Sequence, residues 1–170
     1  MLSLVILVAL FAMQSRGTAR IGKIFGPIMV LWFIALSGFG LAAIIKAPQI
    51  LGAVNPMHGL SLFIHDPKAA FISLGAVVLA VTGCEALYAD MGHFGKRPIQ
   101  YAWFFVALPA LLLNYFGQGA GLLMNPGAAP IAFYAIIPDW AHMPMVLMAT
   151  LAAVIASQAV ITGVFSMTQQ

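Results

Sequence analysis

The sequence predicts an all-α integral membrane protein, and three observations carry that class. Of 170 residues, 63% are hydrophobic and 6% charged, against roughly 45–50% and about 25% in soluble domains. Mean hydropathy is +1.04. Several apolar runs reach the length of about 20 residues that a spanning helix needs. Seven basic and four acidic side chains cannot clothe a water-facing surface. A soluble globular enzyme, a disordered tail and a nucleic-acid-binding domain are thereby excluded. The net charge of +3 needs no polyanionic partner, because the basic residues sit in loops between apolar runs. A single cysteine excludes a disulfide framework and a multi-cysteine metal site.

Four full spans and one partial span are expected. Residues 2–13 are apolar but cover only about 18 Å as a helix, short of a core of about 30 Å. No positive n-region and no small-residue cleavage site mark them as a signal peptide. They read as the second half of a helix that begins before Met1, and the ending at Thr168-Gln169-Gln170 reads as a cut at a helix end, so the chain is expected to be a fragment. Full spans follow at residues 24–45, 69–91, 99–124 and 143–167, with Pro109 near the middle of the third. Neighbouring helices can satisfy the backbone groups that proline and glycine free inside such spans.

Arg16, Arg20 and Lys23 crowd one loop, and Lys96 and Arg97 another two spans later. The positive-inside rule puts both in the cytoplasm and Gln170 with them. The loops 46–68 and 125–142 are then outside. Asn55-Pro56 reads as a helix cap and first-turn proline opening a short interfacial helix over 57–64. Asp139 reads as the cap of the last span, with Trp140 at headgroup level.

Chemistry concentrates in Val81-Thr82-Gly83-Cys84-Glu85-Ala86-Leu87-Tyr88-Ala89-Asp90. Glu85 lies well inside a span, where a charge costs at least about 2.5 kcal/mol and persists when it faces protein or a wet cavity. Helical spacing puts Thr82, Glu85 and Tyr88 along one face. Gly83 weakens the helix there, and a break would free carbonyl oxygens beside the Thr82 hydroxyl. Oxygen ligands of this kind replace the water shell of a monovalent cation, and broken helices at the bilayer midplane build ion sites in secondary transporters. A neutral Glu85 bonded to a neighbouring helix is the competing reading. Asp90, near the inner end, is read as solvated or paired with Lys96 or Arg97, and Cys84 as an apolar filler.

The histidines, His58, His65, His93 and His142, all lie outside the mid-spans, so a bis-histidine haem is not expected. Asn114, Tyr115 and Gln118 fall on the outer half of the third span, and Ser157, Gln158, Thr162 and Ser166 on the last. Most read as interhelical glue. Gln118 is a candidate for the lining of an outer vestibule. Ala149, Ala152, Ala156, Ala159 and Gly163 form a small-residue stripe suited to close packing.

The run from Val81 to Gly95 (VTGCEALYADMGHFG) resembles the signature of the KUP/HAK/KT potassium uptake permeases. So do Leu113–Ala120 (LNYFGQGA), Val154–Ile161 (VIASQAVI), Gly22–Met29 (GKIFGPIM) and Asn55-Pro56-Met57, in order along essentially the whole chain. The resemblance implies the amino acid–polyamine–organocation (LeuT-like) fold of two inverted five-helix repeats. On it, residues 1–170 are the central part of the transmembrane domain, from the end of the fourth helix to the eighth. It implies secondary active K+ uptake coupled to H+ across a bacterial cytoplasmic (inner) membrane, with no cofactor and no enzymatic activity. Thr82 matches a position implicated in the potassium site, and Glu85 an acidic position important for transport; whether Glu85 binds the cation or carries the proton stays open. The family's first-helix motif, its third-helix acid, helices nine to twelve and the cytoplasmic tail fall outside these residues.

Departures are few. Cys84 replaces a small apolar residue, Ala129–Tyr134 differs from the usual outer-loop pattern, and Gln100 and Gln169 stand where arginine is common. The partners expected are the potassium ion, the proton, the lipid bilayer and the remainder of the parent transporter, with a homodimer as a candidate assembly. A symporter of the same fold for another cation or an amino acid is the first alternative. A membrane-embedded redox subunit using Glu85 and His93, or a purely structural subunit, is the alternative of another class.

Overall fold

The computed structural model describes residues 19–81 and 95–168, and every regular element among them is helical. Helix α1 spans Ala19–Lys46. After a 3-10 turn at Pro48–Val54 come two short helices, α2 at Pro56–His65 and α3 at Pro67–Val81. Helix α4 runs through Lys96–Ala102, one π turn at Trp103–Ala107, and Leu108–Met124. A 3-10 turn at Pro126–Ile131 and the four-residue α5, Ala132–Ala135, lead to α6 at Asp139–Thr168. Among the described residues, Phe25–Lys46, Lys96–Met124 and Asp139–Ala159 are long and apolar enough to cross a membrane. Of the expected span 69–91, the part up to Val81 is helical, and the rest lies outside the described residues, as does the segment 2–13.

Local chemistry explains the element ends. Asn55 caps α2 by accepting from the Met57 amide at 3.0 Å, with Pro56 in the first turn. Asp66 repeats the device for α3, accepting from the Ala69 amide at 2.9 Å with Pro67 next to it. At the start of α4, Gly95 has φ +81°, a conformation that side chains with a Cβ rarely adopt. Pro109 has no N–H and its ring crowds the carbonyl four residues back. The π turn just before it absorbs the mismatch, and the Leu108 amide bonds five residues back to the Trp103 carbonyl. Asp139 departs from expectation. It is the first residue of α6 rather than its cap, and the Pro138 carbonyl takes the Ala141 amide at 2.8 Å.

The centre of the packing is the crossing of α1 over α4. A Cβ on Gly117 would overlap the Gly40 backbone, and one on Gly40 would lie 2.6 Å from the Leu113 carbonyl carbon. Only glycines allow that approach, as in the small-residue interfaces of membrane helices. Ala43, Ala47 and Ala120 extend the contact, with Ile50 and Ile136 packed over them. A second cluster seats the start of α6 against α1: Ile137, Ala141 and Met145 meet Trp32, Ala35 and Phe39. Phe133 joins it, its ring centroid 5.8 Å from that of Trp32. The stripe expected on α6 is only partly used, since Ala152 is buried while Ala156 and Ala159 are exposed. The buried edge runs through Ala141, Met145 and Ala152 instead, because α5 and α1 meet α6 near its start.

Large apolar side chains point outward, among them Ile45, Phe71, Phe105, Trp140 and Leu147. Alanines dominate the interior and bulky residues the exterior, the arrangement suited to hydrocarbon surroundings, where burying apolar area between helices gains little.

Candidate functional site

Thr82, Gly83, Glu85 and Tyr88 lie outside the described residues, as do Cys84, Asp90 and His93. The structure shows what leads to them. Helix α3 starts at the Asp66 cap and runs 15 residues, about 22 Å of rise, with no acidic side chain. It is described as far as Val81, which precedes Thr82 in the sequence.

The placement of the acids narrows the chemistry. The sequence has four acidic residues: Asp66, Glu85, Asp90 and Asp139. Asp66 is spent on capping α3. Asp139 lies fully exposed in the first turn of α6, 3.7 Å from His142 Nδ1. The other two, Glu85 and Asp90, lie outside the described residues.

Helices α4 and α6 bring neutral polar groups into the packed interior. Asn114 is 6% exposed, and its Oδ1 accepts no hydrogen bond among the described residues. It sits at the glycine crossing, its own backbone amide against the site of a Gly40 Cβ. Gln118, one helical turn beyond Asn114, is half-buried, and Tyr115 is exposed. Gln158 on α6 is 8% exposed. Ser37 Oγ donates to the Phe33 carbonyl at 2.7 Å and Ser157 Oγ to the Ala153 carbonyl at 2.8 Å, so both hydroxyls are bonded within their own helices. Buried amide oxygens are neutral acceptors, suited to a cation that has lost water or to a donor from a neighbouring helix. Asn114 was legible only as interhelical glue; the neighbouring Gly117 was the signal that its face of α4 is the buried one.

The turn before α6 is organised by His142, whose Nε2 is 3.0 Å from the Tyr134 carbonyl and ties the start of α6 to α5. His65 Nδ1 is 2.8 Å from the Ser61 carbonyl within α2. Both imidazoles serve local structure.

Helices of spanning length, packed through glycine and alanine with amides buried between them, define an integral membrane domain. The chain belongs to the family of the K+ potassium transporter integral membrane domain, whose profile matches residues 1–170. Similar proteins include the "Probable potassium transport system protein Kup" of Pseudomonas fluorescens, 60% identical over 169 residues, 99% of this chain and 27% of the relative. The protein of the same name from Chlorobium luteolum is 59% identical over 99% of this chain and 26% of its own length. The "Probable potassium transport system protein Kup 1" of Geobacter sulfurreducens is 59% identical over 99% and 27%. The chain thus spans about a quarter of the length of the curated relatives it matches. No solved structure matches it. The family is one of transporters rather than enzymes, and its description names potassium.

Proposed function

We propose that residues 1–170 form the central part of the membrane domain of a secondary potassium permease, which takes up K+ with H+ across the bacterial inner membrane. The observation that carries this reading is the family match over every residue of the chain. The elements would be the end of the fourth helix to the eighth of a LeuT-like inverted-repeat domain, with α3 as the outer half of the sixth. Potassium enters from the α2 side and passes Gln118 in an outer vestibule. It loses water to oxygens near Thr82, Glu85 and Tyr88, where Gly83 interrupts the helix, and leaves toward Lys96. Two placements support the route: the described part of α3 is apolar up to Val81, next to Thr82 in the sequence, and Asp66 and Asp139 stand at helix starts.

The test is Glu85→Gln in the full-length parent, read as potassium uptake with simultaneous proton flux. Loss of uptake, or uptake without proton movement, is expected. Proton-coupled uptake at the wild-type rate rejects the role of Glu85. Competition by other cations and by amino acids in the same assay separates potassium transport from a symporter of another specificity.

A further inference from the structure

An apolar cleft lies between α1 and the first half of α4. Its volume is about 350 Å³, and its walls include Met29, Val30 and Phe33 from α1 and Ile99, Ala102 and Trp103 from α4. That volume lies within the range of small-molecule sites, which start near 300 Å³. No lining side chain is charged or carries an oxygen that could ligate a cation.

The face of α4 that lines the cleft carries charge one turn earlier. Ile99, Ala102 and Trp103 stand at i, i+3 and i+4 and so share one face of α4. Lys96, three residues before Ile99, continues that face by one turn, and Arg97 is its neighbour. Both are exposed, and neither has a carboxylate partner among the described residues. The positive-inside rule sets this end at the cytoplasmic surface, where anionic lipids are concentrated.

We propose that the cleft is a binding site for an anionic phospholipid of the inner leaflet, with an acyl chain between α1 and α4 and its phosphate at Lys96 and Arg97. Two features fit this occupant. Helix α1 touches the π turn, so the cleft narrows between two contacting helices. A single alkyl chain, far narrower than the roughly 10 Å of a helix, suits such a space. The paired cations match a phosphate diester and have no counterpart in a wholly apolar partner.

Native mass spectrometry of the full-length parent, equilibrated with phosphatidylglycerol or with phosphatidylcholine of the same chain length, tests the site without reference to transport. Wild type should retain phosphatidylglycerol preferentially. Lys96→Gln and Arg97→Gln, which change only exposed side chains, should each lower that retention about fivefold and leave phosphatidylcholine unchanged. Ala102→Trp should fill the cleft and reduce both lipids. Equal phosphatidylglycerol binding by wild type and both charge variants overturns the proposal. So does absence of bound lipid from wild type, the result expected if another part of the parent covers the cleft. Loss of potassium transport by the parent would leave this readout intact, so the two proposals fail separately.

Discussion

The α1–α4 crossing and the arm formed by α2 and α3 are built on opposite principles. At the crossing, backbone meets backbone through Gly40 and Gly117, and an alanine cluster continues the contact. In the arm, Ala70 is the buried residue of a segment whose bulky side chains, such as Met57, Ile64, Phe71 and Leu79, are exposed. The crossing holds by shape, and its tolerance for change is small. The arm holds by its own caps, and its apolar surface suits hydrocarbon surroundings.

The largest effect should come from attacking the crossing. Gly117→Leu in the full-length parent forces side-chain atoms into the Gly40 backbone, and overpacking of this kind costs about 1–3 kcal/mol or more. Loss of the folded peak in fluorescence-detected size-exclusion chromatography, or a large fall in melting temperature, is expected. A wild-type melting curve would break the claim that the crossing tolerates no Cβ. The next effect belongs to the arm. Asn55→Ala removes the cap bond to Met57 and should cost about 1 kcal/mol. Faster hydrogen exchange across Met57–Leu60 with unchanged protection around Gly117 would show that the two regions are energetically separate. Equal loss of protection in both would merge them. The smallest change is expected from Asn114→Leu. Its Oδ1 accepts no bond among the described residues, so a similar-sized apolar side chain should alter stability by less than about 1 kcal/mol. A larger loss would reveal a donor that reaches Asn114 from elsewhere in the parent.

The comparison also shows what the sequence could disclose. Hydropathy located the three spans found among the described residues, because twenty apolar residues in a row have few other uses; of the expected span 69–91 only the part up to Val81 is described. Asn55-Pro56 disclosed the start of α2, because cap and first-turn proline act locally. The same local grammar in Asp66-Pro67 marks the start of α3. The crossing was not located: small residues occur on α1, α4 and α6 alike, and only the meeting of helices decides which are used. The Gly117/Gly121 spacing on α4 was a better guide than the alanine-rich face of α6. The π turn escaped for a similar reason, since Pro109 announces a disturbance without fixing its geometry. The proposed ion site stood out through chemical cost, a carboxylate within a span, and that argument concerns residues between Val81 and Gly95.

Because Gly40 and Gly117 make the closest approach between two long rods, a change in the angle between those rods turns about that point. The glycines would act as a pivot and the rest of α4 as a lever arm. Lys96 lies about 30 Å along the helix from Gly117, so a tilt of about 10° carries it about 5 Å while the pivot itself hardly moves. A modest rocking of α4 is thus a large displacement of its Lys96 end.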